Sequence, residues 1–157
     1  MKVILLVIGK TDEARLREGI DIYLKRLGRY LDVKMVELPS PKNVKSMSEE
    51  QQKQKEGESL IAQLEPGDKV ILLDERGKEY DSPGFASFMQ QQMNQSVRRL
   101  LFIVGGPYGF SGEMKKRAHG SISLSKMTFS HQMVRLFFAE QLYRAMTILK
   151  GEPYHHS

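Results

Sequence analysis

The sequence predicts an α/β fold in which a mainly parallel sheet carries helices on both faces. Short continuous apolar runs, typical of strands buried on both sides, alternate along the chain with segments of helical periodicity. Five predicted strands alternate in this way with five predicted helices, which is the pattern of a sheet between two helical layers. The 157 residues contain no internal repeat or low-complexity linker, so we expect a single domain over residues 1–157.

The first half of the chain predicts three strands and two helices. Residues 3–8 form the first apolar run, and a stripe from Leu16 to Leu31 then follows helical spacing. Further strands are predicted over residues 33–38 and 69–74. Between them, Ser48 and Gln51 form the pattern of a capping box at the start of a polar helix that reaches Leu64.

The second half predicts the remaining elements in the same alternation. Ser82 and Pro83 are typical of a helix cap followed by a first-turn proline. A strand over residues 100–104 leads into a glycine-rich loop, after which Ser111 is predicted to cap a short helix ending at residue 118. A short strand over residues 121–124 precedes a long helix over residues 131–149, which Gly151 is expected to end.

Composition limits the class of protein. Hydrophobic residues make up 40% of the chain and charged residues 27%, as in ordinary globular proteins, and cysteine is absent. No apolar run approaches the length of a membrane span, and the first run is too short for a signal peptide, so we expect a cytoplasmic protein without a membrane partner. The absence of cysteine fits a reducing compartment.

The net charge of +5 is concentrated towards the end of the chain. Residues 113–157 hold seven lysines and arginines against three acidic residues, together with all four histidines. Such a basic region suggests a polyanionic partner such as RNA, although a solvated lysine-rich surface is the preferred explanation when the charge is considered alone. In parallel sheets ligands bind beyond the carboxyl ends of strands, so the loops after Leu73, Val104 and Leu124 are the candidates for a shared pocket.

The glycine loop, GGPYG at residues 105–109, matches none of the common nucleotide motifs. A phosphate-binding loop would continue with lysine and serine or threonine, and a dinucleotide fingerprint would follow the first strand with a different glycine spacing. Neither a nucleophile elbow nor an HExxH zinc motif occurs in the sequence, and no metal site is expected. What remains is a ligand read by backbone groups and apolar walls, and an adenosine-like molecule fits that description.

Four segments, together spanning much of the chain, resemble the RlmH family of small SPOUT-class methyltransferases. They are VILLDERGK (residues 70–78), FIVGGPYGFS (102–111), LSKMTFSHQMVR (124–135) and EQLYRAMTILKGEPYHH (140–156). The resemblance implies S-adenosylmethionine-dependent methylation of N3 of a pseudouridine in 23S ribosomal RNA, in the helix 69 loop. Because so short a chain shows no RNA-binding appendage, we expect it to recognise a large preformed surface, the assembled ribosome. The resemblance also implies a trefoil-knotted C-terminal part, a homodimer, and no DNA partner.

The resemblance implies that three loops hold the cofactor. The residues carried over are Leu73, Gly105, Leu124, Ser125, Lys126, Met127, Thr128 and Phe129. Without the resemblance, Met127 and Phe129 would be interpreted as core residues and Lys126 as a solvated charge.

The resemblance also implies that His155 and Arg144 are catalytic, and that the active site is completed near the subunit interface. An ion pair with Glu140, one helical turn earlier, is the competing interpretation for Arg144, and a disordered terminus is the one for His155. The long helix could form the dimer interface through Met133, Phe137, Phe138 and Leu142, although core burial would explain the same residues. Two other functions stay open, namely a SPOUT methyltransferase with another RNA target and a non-catalytic RNA-binding or ribosome-assembly module.

Overall fold

Five strands and five α-helices alternate through residues 1–156, which are the residues described by this computed structural model. In chain order they are β1 (Lys2–Ile8), α1 (Ala14–Leu27), β2 (Asp32–Leu38), α2 (Glu49–Ile61), β3 (Lys69–Glu79), α3 (Ser82–Asn94), β4 (Arg99–Val104), α4 (Gly112–Arg117), β5 (Gly120–Ser123) and α5 (Met133–Leu149). A single 3-10 turn, Val44–Ser46, precedes α2. Each predicted element is present, with shifted ends.

The sheet is parallel throughout and has the strand order β2-β1-β4-β3-β5. The central strands β1 and β4 are distant in sequence, and Lys2 pairs with Arg99. All five carboxyl ends therefore lie at one edge of the sheet. The predicted α/β class with a mainly parallel sheet is confirmed, while the trefoil knot stays a prediction. No helix within residues 1–156 has the length and apolar character needed to cross a membrane.

Alternation of side chains along the strands explains why helices cover both faces. In β1, Val3, Leu5 and Val7 belong to one buried cluster and Ile4, Leu6 and Ile8 to the other. The first cluster packs against α1, α3 and α5, and the second against α2 and α4. Because both faces are buried, the strand is a continuous apolar run in the sequence.

Two of the three predicted helix caps have the expected residue. Ser48 and Gln51 form the capping box of α2, and Ser111 Oγ accepts a hydrogen bond from the Met114 amide at 3.1 Å. The cap of α3 is instead Asp81, whose carboxylate accepts from the Gly84 amide at 2.7 Å, so the predicted cap at Ser82 is one residue late. An ionised carboxylate at this position also interacts favourably with the helix dipole.

Strand β3 is longer than predicted because it leaves the sheet and returns to it. Both Leu73 and Lys78 pair with Ile122 of β5, so residues 74–77 bulge outwards between them. Gly77 allows the return, since a Cβ at that position would lie 2.7 Å from the backbone of Ile122. The bulge presents residues 74–76 at the edge of the sheet where the strands end.

Candidate functional site

A cleft of about 640 Å³ opens at the carboxyl edge of the sheet. Residues 73–76 after β3, residues 104–110 after β4 and most of residues 124–131 after β5 form its walls, and Val134 of α5 lies behind them. The three loops that the sequence places beyond strand ends therefore meet in one cavity. Its volume is in the range usual for small-molecule sites.

Most of the residues predicted to bind the cofactor line this cleft. They are Leu73, Gly105, Leu124, Ser125, Met127, Thr128 and Phe129. Lys126 is the exception, since its side chain is 83% exposed, does not line the cleft and lies 3.6 Å from Glu79. The role of these residues as cofactor contacts stays a prediction.

The cleft has an apolar floor and an apolar rim. Leu73, Val104 and Ile122 are buried at its base. At the rim, Met127 is 77% exposed, and the ring of Phe129 packs 4.9 Å from the ring of Phe137. The interpretation of Met127 as a core residue is therefore wrong, and the rim carries unburied apolar surface.

The cleft is also lined by charged residues that are not among the predicted site residues. Asp74, Glu75 and Arg76 line it from the bulge of β3, and Lys53 of α2 and Lys115 of α4 line it from the helices. Thr128 Oγ1 donates a hydrogen bond of 2.5 Å to Glu75, so the first and third loops are joined across the cleft. The position of the DER segment directly after Leu73, at a strand end, was the available signal for the bulge residues.

His131 lines the cleft where the third loop enters α5. Burial lowers the pKa of His131, the nearby positive charge of Arg135 lowers it further, and Asp12 opposes both effects. The imidazole is therefore neutral near physiological pH, and a neutral imidazole can accept a proton. In the sequence, His131 is only one of the four histidines of the basic region, and no motif marks it as a site residue.

Arg135 fixes the position of His131. Its side chain is 0% exposed, and its Nε donates to the His131 carbonyl at 3.0 Å. The other guanidinium nitrogens donate to the carbonyls of Ile8 at 2.8 Å and Gly9 at 3.0 Å, and to Thr11 Oγ1 at 2.9 Å. With these four hydrogen bonds the guanidinium joins the start of α5 to the end of β1.

A second polar cluster, here called the tail cluster, consists of Glu140, Arg144, Tyr154 and His155. Arg144 donates to Glu140 at 2.5 Å, and its Nη1 lies 3.2 Å from His155 Nδ1. The Tyr154 hydroxyl donates to Glu140 at 2.9 Å, and the guanidinium lies 4.9 Å from the centre of the Tyr154 ring. Burial and the hydrogen bond to Glu140 raise the pKa of Tyr154.

The predicted catalytic pair is thus in contact, and the ion pair between Arg144 and Glu140 is present as well. Because a guanidinium only donates, His155 Nδ1 is the acceptor in this contact, and the ring proton is therefore on Nε2. His155 Nε2 is buried and has no hydrogen-bond partner within residues 1–156. The imidazole therefore has a free N–H donor.

The tail cluster and the cleft are separate within one chain. Neither Arg144 nor His155 lines the cleft. Val134, which does, is ten residues before Arg144 on α5, and a helix rises about 15 Å over that distance.

The prediction that α5 offers four apolar residues to a dimer interface is wrong for two of them. Phe138 and Leu142 are buried in the core against the sheet. They face the sheet because their spacing of four residues places them on one side of the helix. Phe137 remains exposed and continues the apolar rim of the cleft.

No group of three or more histidine, aspartate or glutamate side chains within residues 1–156 is arranged to hold a metal ion.

Comparisons with known proteins agree over nearly the whole chain. Residues 1–155 match the model of a family described as predicted SPOUT methyltransferases. The chain is 55% identical over 156 residues to a protein from Parabacteroides distasonis named ribosomal RNA large subunit methyltransferase H, with 99% of each chain covered. Proteins of the same name from Flavobacterium johnsoniae and Porphyromonas gingivalis are 54% and 49% identical, again over 99% of each chain.

Among solved structures, the chain resembles the SpoU methyltransferase AviRb from Streptomyces viridochromogenes, described as a complex with AdoMet. The TM-score is 0.46 and the identity 15%, with 96% of this chain and 61% of the other covered.

Proposed function

Because the chain belongs to the family of predicted SPOUT methyltransferases, we propose that it methylates ribosomal RNA of the large subunit with S-adenosylmethionine as methyl donor. The observation that carries the proposal is the cleft where three loops of a parallel sheet meet. The relatives named ribosomal RNA large subunit methyltransferase H support the class of substrate. An enzyme acting on ribosomes is expected in the cytoplasm.

The residues of the cleft fit S-adenosylmethionine. Leu73, Val104 and Ile122 offer an apolar floor for an adenine ring, and the glycine loop offers backbone groups to its polar edge. Asp74 and Glu75 provide negative charge for the sulfonium and amino groups of the cofactor, and the cations that line the cleft (Lys53, Arg76 and Lys115) provide positive charge for its carboxylate. These properties together match the cofactor's apolar, hydrogen-bonding and charged parts.

When bound, S-adenosylmethionine supplies a methyl group on a positively charged sulfur, which is electrophilic without further activation. The task of the protein is then to align the accepting nitrogen with that methyl group and to remove the proton from the nitrogen. Alignment alone lowers the barrier substantially, because the freedom of the reactants is lost on binding. His131, which is neutral and lies in the cleft, is suited to accept the proton.

We propose that His155 and Arg144 act on the RNA. The guanidinium of Arg144, whose side chain is 25% exposed, can donate to a uracil oxygen, where negative charge develops when N3 loses its proton, or to a phosphate. The contact with His155 Nδ1 holds this guanidinium in position. Tyr154, held by Glu140, offers a ring on which a base can stack.

We further propose that the active site forms in a homodimer. The tail cluster does not reach the cleft of its own chain, so a cleft that uses His155 and Arg144 must receive them from a second subunit. The unburied apolar rim formed by Met127, Phe129 and Phe137 is a suitable surface for that contact. In the dimer, each cleft would be completed by the partner's tail.

The proposed target is N3 of a pseudouridine in the helix 69 loop of 23S ribosomal RNA, on the assembled ribosome. The resemblance of the sequence to the RlmH family is the basis for this target. Net charge of +5 supports binding to such a polyanion.

The test is single-turnover methyl transfer from labelled S-adenosylmethionine to free 23S rRNA, large subunits and whole ribosomes, taken from a strain lacking the gene. Mass spectrometry of rRNA fragments then locates the methyl group. We expect whole ribosomes to be the best substrate and a single modified pseudouridine. Methylation elsewhere would assign another RNA target, and cofactor binding without transfer to any of the three substrates would contradict the proposed enzyme.

A further inference from the structure

Glu56, on the buried side of α2, is an ionisable group that the proposed chemistry does not use. The residue is only 3% exposed and does not line the cleft. Its Oε2 accepts a hydrogen bond of 3.3 Å from the side-chain amide (Nε2) of Gln52, one turn earlier in α2. Its Oε1 has no hydrogen-bond partner within residues 1–156. A buried carboxyl without a full set of hydrogen-bond partners lowers the stability of the fold, so its presence suggests a role beyond packing.

The carboxyl group of Glu56 lies directly against the glycine loop. A Cβ built on Gly106 would overlap both carboxyl oxygens, so only glycine allows this approach. Gly106 lines the cleft, whereas Glu56 does not. The backbone at Gly106 therefore has the cleft on one side and the Glu56 carboxyl on the other.

The next residue of α2 makes an equally close approach to the far end of the same loop. A Cβ at Gly57 would overlap the hydroxyl of Ser111, which caps α4. Two consecutive residues of α2 thus press on Gly106 and on Ser111, near the two ends of the loop. This arrangement limits the positions that the loop backbone can take.

We propose that Glu56 is a positioning residue for the cofactor: from behind Gly106, its side chain fixes the loop backbone against which S-adenosylmethionine lies. The proposal rests on the proposed function, because it takes the cleft to be the cofactor site. Glu56 acts through the loop and touches neither cofactor nor RNA. Its removal is expected to weaken cofactor binding while the domain stays folded.

The charge state of the Glu56 carboxyl should make cofactor binding depend on pH, which a purely structural role would not do. Burial raises the pKa of Glu56, and the hydrogen bond from Gln52 opposes this rise only in part. Within residues 1–156, the carboxyl accepts from the Gln52 side-chain amide and lies against the backbone of Gly106. Of the cations on the packed helices, Lys53 of α2 is paired with Glu50 at 3.1 Å, and Lys115 of α4 lines the cleft.

A neutral carboxylic acid can lie buried against the loop without a counter-ion. An ionised carboxylate with no partner for its charge would instead move towards water and away from Gly106, and the loop would lose its support. We therefore expect cofactor affinity to fall as the pH rises through the raised pKa of Glu56. Glu56→Gln keeps the shape of the group and cannot ionise. That variant should bind as tightly as the wild type at pH values below the raised pKa of Glu56, and it should keep its affinity at pH values above that pKa.

The experiment is calorimetric titration with S-adenosylmethionine across this pH range, for wild type, Glu56→Gln and Glu56→Ala. Glu58→Ala, an exposed glutamate on the same helix, is the matched control and should bind like the wild type. Glu56→Ala is expected to raise Kd about tenfold, the size usual for coupled neighbours. Wild-type affinity in Glu56→Ala, or the same pH profile in Glu56→Gln as in the wild type, would overturn the proposal.

A double-mutant cycle tests the contact itself. Gly106→Ala alone should weaken binding, because the added methyl group meets the carboxyl of Glu56. In the Glu56→Ala background the methyl group has room, so Gly106→Ala should reduce the affinity for S-adenosylmethionine by a smaller factor. Equal losses in both backgrounds would contradict the inferred contact. A wild-type protein that binds no S-adenosylmethionine at any pH would instead refute the proposed function, which separates the two failures.

Discussion

Replacement of Arg135 by methionine should destabilise the protein strongly, although it adds an apolar side chain of similar length. The guanidinium donates to three backbone carbonyls, those of Ile8, Gly9 and His131, and to the hydroxyl of Thr11. Methionine can donate to none of them. Each buried acceptor left without a partner costs about 1–3 kcal/mol.

The size of the loss follows from these contacts. Water can reach some of the freed carbonyls, so the full sum is an upper bound, and we expect a decrease of about 3–5 kcal/mol in the free energy of unfolding, as for other broken buried ion networks. Glu37, which lies 3.5 Å from Arg135, keeps its contacts with Arg17 and Thr11. Its carboxylate is therefore not left uncompensated.

Urea unfolding followed by circular dichroism measures the change. Arg17→Met is the matched control, because Arg17 also contacts Glu37 but its side chain is 40% exposed, and its loss should cost less than about 1 kcal/mol. A loss below about 1 kcal/mol for Arg135→Met as well would refute the reasoning that buried carbonyls depend on this guanidinium.

Four further outcomes are expected. Gly105→Val should weaken S-adenosylmethionine binding, since even its Cβ would lie 3.2 Å from the Gly109 carbonyl and from the ring of Phe110; unchanged affinity in calorimetry would remove the glycine loop from the site. Removal of residues 154–157, or His155→Ala alone, should leave cofactor affinity unchanged and reduce single-turnover methyl transfer to ribosomes by about 100-fold or more. Methyl transfer at the wild-type rate would leave Arg144 as the main candidate for the catalytic role. Analytical ultracentrifugation should find a dimer, and a fully active monomer would exclude a shared site. Burial alone would raise the pKa of Glu37, but hydrogen bonds from Arg17 and Thr11 outweigh burial and hold this pKa below its ordinary value. The stabilisation that Glu37 contributes is therefore present above its pKa in the unfolded chain and is lost as the pH falls through its pKa in the folded protein. Acid should thus destabilise the wild type more than Glu37→Gln in thermal unfolding, and equal losses of stability would contradict this sign.

The elements of the fold were predictable because their causes are local. A strand buried on both faces must be a continuous apolar run, and capping at Ser48 and Ser111 requires only residues within one turn. The long helix begins at Met133, two residues later than predicted, since Ser130 accepts from the Met133 amide and holds residues 131–132 in a turn. Strand order was not predictable, because pairing between β1 and β4 leaves no trace in local periodicity.

The cleft was predictable only in part for the same reason. Parallel strands bring their carboxyl ends to one edge, so the loops after Leu73, Val104 and Leu124 had to be close. Lys53 and Lys115 reach the cleft from helices on one face of the sheet, and only the packing of those helices determines it. The separation of His155 from the cleft likewise depends on the direction of α5, which the sequence motif does not contain.

The tie between Arg135 and the end of β1 has a consequence for folding during synthesis. Strand β1 emerges first from the ribosome, yet its central partner β4 begins at Arg99, and the guanidinium that saturates the carbonyls of Ile8 and Gly9 arrives later still. Until then one edge of an apolar strand is unpaired, and such edges promote aggregation. Nascent chains ordinarily fold from the amino terminus onwards. Here the native sheet can form only after most of the chain has been made. A polypeptide released by interrupted translation would therefore not contain a partly folded domain, and the unpaired edge of its first strand would promote aggregation.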